Sequence, residues 1–233
     1  LLNRLVALEE DDGKAKVLWE YVTGSPAPGA TVVGPDENIR VHCSDGFLHC
    51  VTPEGKQAWS PAQVGQPLGS AAPIVDEQGN TLISAFGGGL LRVDANGKVG
   101  ARPYFRSRRI LDSAGVVREN VLYIGSEDGY VFAIELTGSR GNNRWDHADE
   151  RGYTGWYVNS SPAITDEDML VVAARDEYLY GFKLDGAKGW ETKIPGQMLG
   201  SPVVDASGHV YVGTSQTQRG RTGRGLLVCV DGN

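Results

Sequence analysis

The chain has 233 residues, with 29 Asp and Glu against 22 Lys and Arg, for a formal net charge of −7. That balance argues against nucleic acid as a general partner, because a phosphate backbone is met by clustered positive charge. No apolar run approaches the ~18 residues a membrane-crossing helix needs, and three cysteines, an odd number, leave the redox compartment open.

Taken in order, the sequence predicts short strands separated by turn residues. Leu5–Glu9 and Lys16–Glu20 read as the last two strands of a partial repeat, 3–22, that closes on Trp19. A full repeat spans 30–60, with an Asp45-Gly46 hairpin, a strand carrying His49 and Cys50, a Glu54-Gly55 turn and a strand with Trp59. The next, 70–105, carries Ile74-Val75, an Asp76–Gly79 turn, Leu82-Ile83-Ser84 and Asn96-Gly97, and ends at Tyr104 and Phe105. The clearest copy is 112–147, where two apolar runs flank Ser126-Glu127-Asp128-Gly129 and Trp145 follows. Repeat 160–193 starts at Ser160-Ser161-Pro162 and closes on Trp190; a last partial one, 200–231, starts at Gly200-Ser201-Pro202. Gly, Ser and Pro at these starts break one strand and set the turn into the next.

Trp19, Trp59, Tyr104, Trp145 and Trp190 are spaced by 40, 45, 41 and 45 residues. A fixed period of ~40–50 residues holding four short strands is the signature of a β-propeller. The expectation is an all-β fold of four-stranded antiparallel blades, a single propeller domain or segment over 1–233. The five spaced aromatics are expected to dock one blade on the next. Two partial repeats flank four full ones, about five blades' worth of sequence. They fit either a segment of a larger propeller or a five-blade ring that leaves no exposed sheet edge.

The pattern resembles the PQQ-like repeat of quinoprotein-type propellers: a small-Ser-Pro start, a Tyr-Ile-Gly-Ser-Glu-Asp-Gly hairpin at Tyr123–Gly129, and a closing Trp. The resemblance is closest over 121–145, 160–190 and 200–231. It implies a propeller, and it extends to periplasmic propeller lipoproteins of outer-membrane β-barrel assembly and to sensor modules of larger bacterial proteins. On that resemblance the chain is expected to be periplasmic or extracellular. It is expected to engage a protein or peptide partner without catalysis. Two alternatives stand beside this: a quinoprotein-type dehydrogenase fragment binding PQQ and calcium, and a structural or sensor module of a larger protein. The enzymes of that family hold their cofactor between a Trp floor and a disulfide of adjacent cysteines. This sequence has no adjacent cysteines, no Gly-x-Ser-x-Gly and no His-Glu-x-x-His. No cofactor, metal or catalytic residue is therefore expected.

Departures from the repeat mark candidate sites. One third-strand position reads Ala7, Cys50, Arg92, Ala133, Gly181 and Cys229. It asks for a small residue, so Cys50 and Cys229 are expected to act as small buried hydrophobes. Arg92 is the exception there, because a buried unpaired guanidinium is costly. It either pairs with an acid or reaches an axial anion. A two-residue Asp45-Gly46 turn would set Cys43 against Leu48 and His42 against His49. That register excludes a Cys43–Cys50 disulfide and leaves His42, Cys43 and His49 on a surface hairpin without closed metal-ligand spacing. Trp156 lies off the closing-Trp register, in a link with Tyr153 and Tyr157 that either forms a binding platform or caps a neighbouring blade. Two basic stretches carry Arg106, Arg108 and Arg109, and Arg219, Arg221 and Arg224. They either meet carboxylate or phosphate groups or are solvated loops.

Overall fold

In this computed structural model the described residues are 3–67, 71–85, 88–111, 113–198, 200–215, 217–218, 221–222 and 225–232. The chain divides into two compact units, Leu1–Tyr104 and Phe105–Asn233. The division falls at the end of the third repeat.

The first unit begins with β1 (Arg4–Asp11) and β2 (Lys14–Val22), paired as a two-stranded sheet. β3 (Val32–Val33), β4 (Ile39–His42), β5 (Phe47–Val51) and β6 (Gln57–Gln63) form a four-stranded sheet in sequence order. β7 (Ile74–Val75), β8 (Thr81–Ala85) and β9 (Gly89–Val93) follow, and Tyr104 N donates to Leu90 O at 2.6 Å. The second unit starts with β10 (Phe105–Arg106). β11 (Val116–Arg118), β12 (Val121–Gly125), β13 (Val131–Glu135) and β14 (Asn142–Asn143) form one four-stranded sheet. A 3-10 turn, His147–Asp149, leads toward β15 (Ala163–Ile164), β16 (Met169–Ala173), β17 (Tyr178–Lys183) and β18 (Lys188–Lys193), the next sheet. β19 (Val203–Val204), β20 (His209–Thr214) and β23 (Leu226–Asp231) form a three-stranded sheet; between the last two, β21 (Thr217–Gln218) and β22 (Arg221–Thr222) pair as a short ribbon. The second basic stretch thus includes a short ladder of its own.

The sheets stack face to face within each unit, which is why their middle strands read as continuous apolar runs rather than alternating ones. Leu170 and Val172 of β16 pack with Val121, Tyr123, Val131 and Ala133. Val171 and Ala173 of the same strand pack with Val210 and Val212 on the other side. In the first unit Leu48, Ala62 and Val64 meet Ile83 and Val93.

Trp19, Trp59 and Trp145 seat on turn glycines of the following blade. A Cβ added to Gly55 would lie 2.6 Å from Trp19 Cδ2, one on Gly97 2.7 Å from Trp59 Cδ2, and one on Gly186 2.7 Å from Trp145 Cδ2. Two of the indoles also bond to that turn: Trp19 Nε1 donates to Pro53 O at 2.7 Å and Trp145 Nε1 to Leu184 O at 3.1 Å. The small third-strand position has its reason here. Ala7 pairs with Trp19, Cys50 with Trp59 and Gly181 with Trp190, so the ring lies over it.

Arg92 breaks that rule in the repeat whose closing aromatic is the smaller Tyr104. Its guanidinium carbon lies 5.1 Å from the Tyr104 ring centroid, and Nη2 lies 3.5 Å from Oδ2 of Asp76, which is 1% exposed. The arginine is therefore engaged inside its own blade. Cys50 is fully buried, but Cys229 is exposed, contrary to the expectation.

The register of the Asp45-Gly46 hairpin also differs from the expectation. Cys43 N donates to Phe47 O at 2.9 Å, Gly46 N donates to Cys43 O at 3.0 Å, and Gly46 has φ +86°. This is a three-residue loop, a type I turn followed by a left-handed residue. His42 therefore lies opposite Leu48 and Val41 opposite His49. A one-residue slip moves every side chain to the other face of the sheet, so His42 and His49 part company. The hairpin is also no surface feature: Cys43 is fully buried, and His42 and His49 are 5% and 6% exposed. The three cysteines are free thiols.

Candidate functional site

The second unit carries an aromatic-floored cavity of about 640 Å³, lined by Phe105, Arg106, Ser107, Arg108, Asp128, Tyr130, Phe132, Asn143, His147 and Ala148. Its floor is a connected run of rings. Phe105 meets Phe132 edge-on at 5.4 Å, and Phe132 meets His147 at 4.6 Å. His147 stacks on Tyr130 at 4.3 Å, and Tyr130 lies 4.9 Å from Tyr153.

Each ring is placed by local chemistry. Tyr130 and Phe132 flank Val131, and alternation along the strand sends both to the same face. His147 opens the 3-10 turn, whose N-cap Asp146 accepts from Ala148 N at 2.9 Å. Its Nε2 lies 3.3 Å from Val131 O and 3.3 Å from Asn143 Nδ2. Asn143 is itself fixed, with Oδ1 accepting from Ala133 N at 3.0 Å and Nδ2 donating to Trp145 O at 2.8 Å. Burial lowers the His147 pKa below its ordinary value, which keeps the ring uncharged at neutral pH. The positive charge of the site comes from the exposed Arg106 and Arg108, and the negative from Asp128, which also lines it.

The link that follows is sewn to the same hairpin. Val131 N donates to Gly152 O at 2.9 Å and Thr154 N to Gly129 O at 2.8 Å. Thr154 Oγ1 lies 2.9 Å from Gly129 O and 2.8 Å from Trp156 O, within reach of both carbonyls for its one proton. Gly155 N reaches Asp176 Oδ2 at 2.9 Å. Gly152 has φ +69°, and a Cβ there would lie 2.6 Å from the Trp145 ring. Only glycine lets the link pass this close to the closing tryptophan.

The structure divides the aromatic trio expected from sequence. Tyr153 turns in to join the Tyr130 stack. Trp156 and Tyr157 stay outside as a tilted pair 5.7 Å apart, 57% and 41% exposed. Arg106, Arg108 and Arg109 are exposed, the first two on the cavity. Arg92 belongs to the first unit and to its own ion pair. Arg219 and Arg224 lie outside the described residues, as does the side chain of Arg221. Sequence reasoning missed Tyr130, Phe132, Asn143 and His147. The available signal was the link from Trp145 to Ser160, which is longer than that from Trp190 to Ser201.

Antiparallel four-stranded sheets, with Trp19, Trp59 and Trp145 each seated on a glycine turn, define a PQQ-like β-propeller. A sequence profile of the family described as outer membrane protein assembly factor BamB matches residues 2–147, and the chain belongs to that family. Among solved structures, the chain is similar to BamB from Moraxella catarrhalis, with a TM-score of 0.61 and 19% identity over 97% of this chain and 71% of that one. It is also similar to the computationally designed Ika8 protein, with a TM-score of 0.68 and 13% identity over 90% of this chain and 62% of that one. The chain thus spans less than two thirds of the designed protein. At these identities both likenesses speak to the fold. No curated protein matches the sequence. Among the described residues no helix is long and apolar enough to cross a membrane.

Proposed function

We propose that this chain is a non-catalytic binding module that docks a segment of a partner protein in the Phe105–Tyr130–His147 cavity and on the adjoining Trp156–Tyr157 pair. The observation that carries the reading is the cavity itself: a floor of uncharged rings under two exposed arginines. Such a site suits an extended segment bearing an aromatic side chain next to an acidic one. The ring stacks below, and the carboxylate meets Arg106 or Arg108. Exposed Trp and Tyr with nearby Arg are the residue types that anchor protein interfaces. The family description supports placing the module in the bacterial periplasm, with a component of outer-membrane protein assembly as its partner.

The test is to select peptides on this chain from a random library and measure the best binders by calorimetry. Enrichment of acidic-aromatic peptides is expected, with binding at least tenfold weaker in the Arg106→Glu/Arg108→Glu double variant. Peptides of other character, or equal binding by the variant, would remove the cavity as the docking site.

A further inference from the structure

A second cluster of reactive side chains lies in the first unit, in the hairpin whose register differs from the sequence expectation. Cys43, Asp45 and His49 each bring one ligand atom to within 4.8 Å of the other two. Cys43 is fully buried, His49 is 6% exposed, and Asp45 is exposed. From these positions we infer that Cys43, Asp45 and His49 bind a zinc-class divalent ion, with the remaining coordination position open to solvent on the Asp45 side.

Three observations support this. First, His49 Nε2 is buried and has no hydrogen-bond partner. Leaving such an atom unsatisfied costs about 1–3 kcal/mol, a cost a metal bond would remove. The other ring nitrogen, Nδ1, lies 3.1 Å from Tyr21 Oη. A metal-ligating imidazole characteristically has its second nitrogen held in this way.

Second, the donor types match. A thiolate, an imidazole and a carboxylate are the three ligand classes of zinc, which takes them at about 2.0–2.3 Å and leaves a fourth place for water in open sites. Bringing the three atoms to zinc-ligand distances requires them to close up, and the exposed Asp45 can do so with Oδ2 while Oδ1 keeps its bond from Phe47 N. On binding, the Cys43 thiol loses its proton to solvent and the sulfur lone pair forms the metal bond.

Third, the other repeats show what the same geometry does without these donors. The positions of Cys43, Asp45 and His49 are held by Ser126, Asp128 and Phe132 in one repeat and by Ala174, Asp176 and Tyr180 in another. In the latter, Tyr180 Oη donates to Asp176 Oδ2 at 2.7 Å. The third-strand side chain and the turn aspartate therefore meet by design of the repeat. The 30–60 repeat has put imidazole where phenol stands and thiol where a methyl stands.

The experiment is a titration of the chelator-treated protein with Co²⁺ alone, read by thiolate-to-cobalt charge-transfer absorption, and with Zn²⁺ alone in competition with a chromophoric chelator. One ion per chain and a thiolate band are expected. Cys43→Ser and His49→Phe place at those positions the residues another blade already carries, so both variants should fold, as their melting without metal would show. The expected effects are loss of the band in Cys43→Ser, at least hundredfold weaker Zn²⁺ binding in Cys43→Ser and His49→Phe, and roughly tenfold weaker binding in Tyr21→Phe. Cys229→Ser should change nothing. A missing band, or a band that survives Cys43→Ser and disappears with Cys229→Ser, would overturn the assignment.

Discussion

The hairpins at Cys43 and at Ala174 have the same backbone and different chemistry. In each, the corner N–H bonds to the carbonyl four residues on, and the third loop residue is left-handed, Gly46 at φ +86° and Glu177 at φ +70°. In the 160–193 repeat the turn aspartate closes on its own surroundings: Asp176 Oδ2 takes the Tyr180 phenol and the N–H of Gly155. It thereby anchors the link that carries Trp156. In the 30–60 repeat Asp45 Oδ1 accepts from Phe47 N at 3.1 Å, and the carboxylate faces thiol and imidazole. A repeat fixes where side chains meet, and single substitutions decide whether the meeting is a structural clasp or a set of ligands.

The strongest way to break this comparison is to remove each aspartate. Asp176→Ala leaves the buried Tyr180 phenol without its acceptor, and should cost about 2 kcal/mol. Asp45→Ala, measured without metal, should cost less than about 1 kcal/mol. Denaturant unfolding of both variants checks the pair, and equal losses would erase the contrast.

The left-handed position sharpens it next. A Cβ on Gly46 would lie 3.1 Å from the Gly65 backbone, so Gly46→Ala should lose about 1–2 kcal/mol. Glu177→Gly relieves the same strain where a side chain already bears it, and should gain up to about 1 kcal/mol after the entropy cost of glycine. Opposite signs in thermal melting are the expected result.

The two units should also differ in their pH limbs. In the first, the bond from Arg40 holds Asp36 down at about 2, against an ordinary value of 3.8. Arg40 is fully buried and also donates to Gly79 O at 3.2 Å. A depressed carboxylate stabilises fully above its unfolded pKa, and the effect is lost as pH falls from about 4 toward 2. After solvent screening it is worth on the order of 1 kcal/mol. In the second, burial and then Asp176 raise the Tyr180 pKa well above 10. That contribution is intact below pH 10 and is lost as pH climbs beyond it. Asp36→Asn should flatten the acid slope of stability and Tyr180→Phe the alkaline slope, each leaving the other slope unchanged.

The smallest expected effect on stability is at the proposed docking surface. Trp156→Ala should change unfolding free energy by less than about 0.5 kcal/mol, because the side chain is 57% exposed, while weakening a selected peptide at least tenfold. A large loss of stability would make Trp156 a blade cap instead.

The cavity was the least legible feature. Trp156 announced itself by falling off the repeat, but Tyr130 and Phe132 sit in regular strand positions and look like core. His147 becomes part of the floor only because the Asp146-capped turn brings it over that strand. The Cys43 hairpin shows how a reading goes wrong by one step: Asp-Gly signals a hairpin but leaves its loop length open, and the length sets which residues face each other.

By itself the sequence determined the antiparallel blades, their four strands and the places of the closing aromatics. The reason is that strand alternation, turn chemistry and a period near 40 residues are local properties written once per repeat. Tertiary structure alone decided that Arg92 rests on Tyr104 and Asp76, that Tyr153 and Trp156 part, and that Cys43, Asp45 and His49 converge. Each of these depends on register and on the packing of one sheet against the next, where a shift of one residue reverses the face a side chain takes.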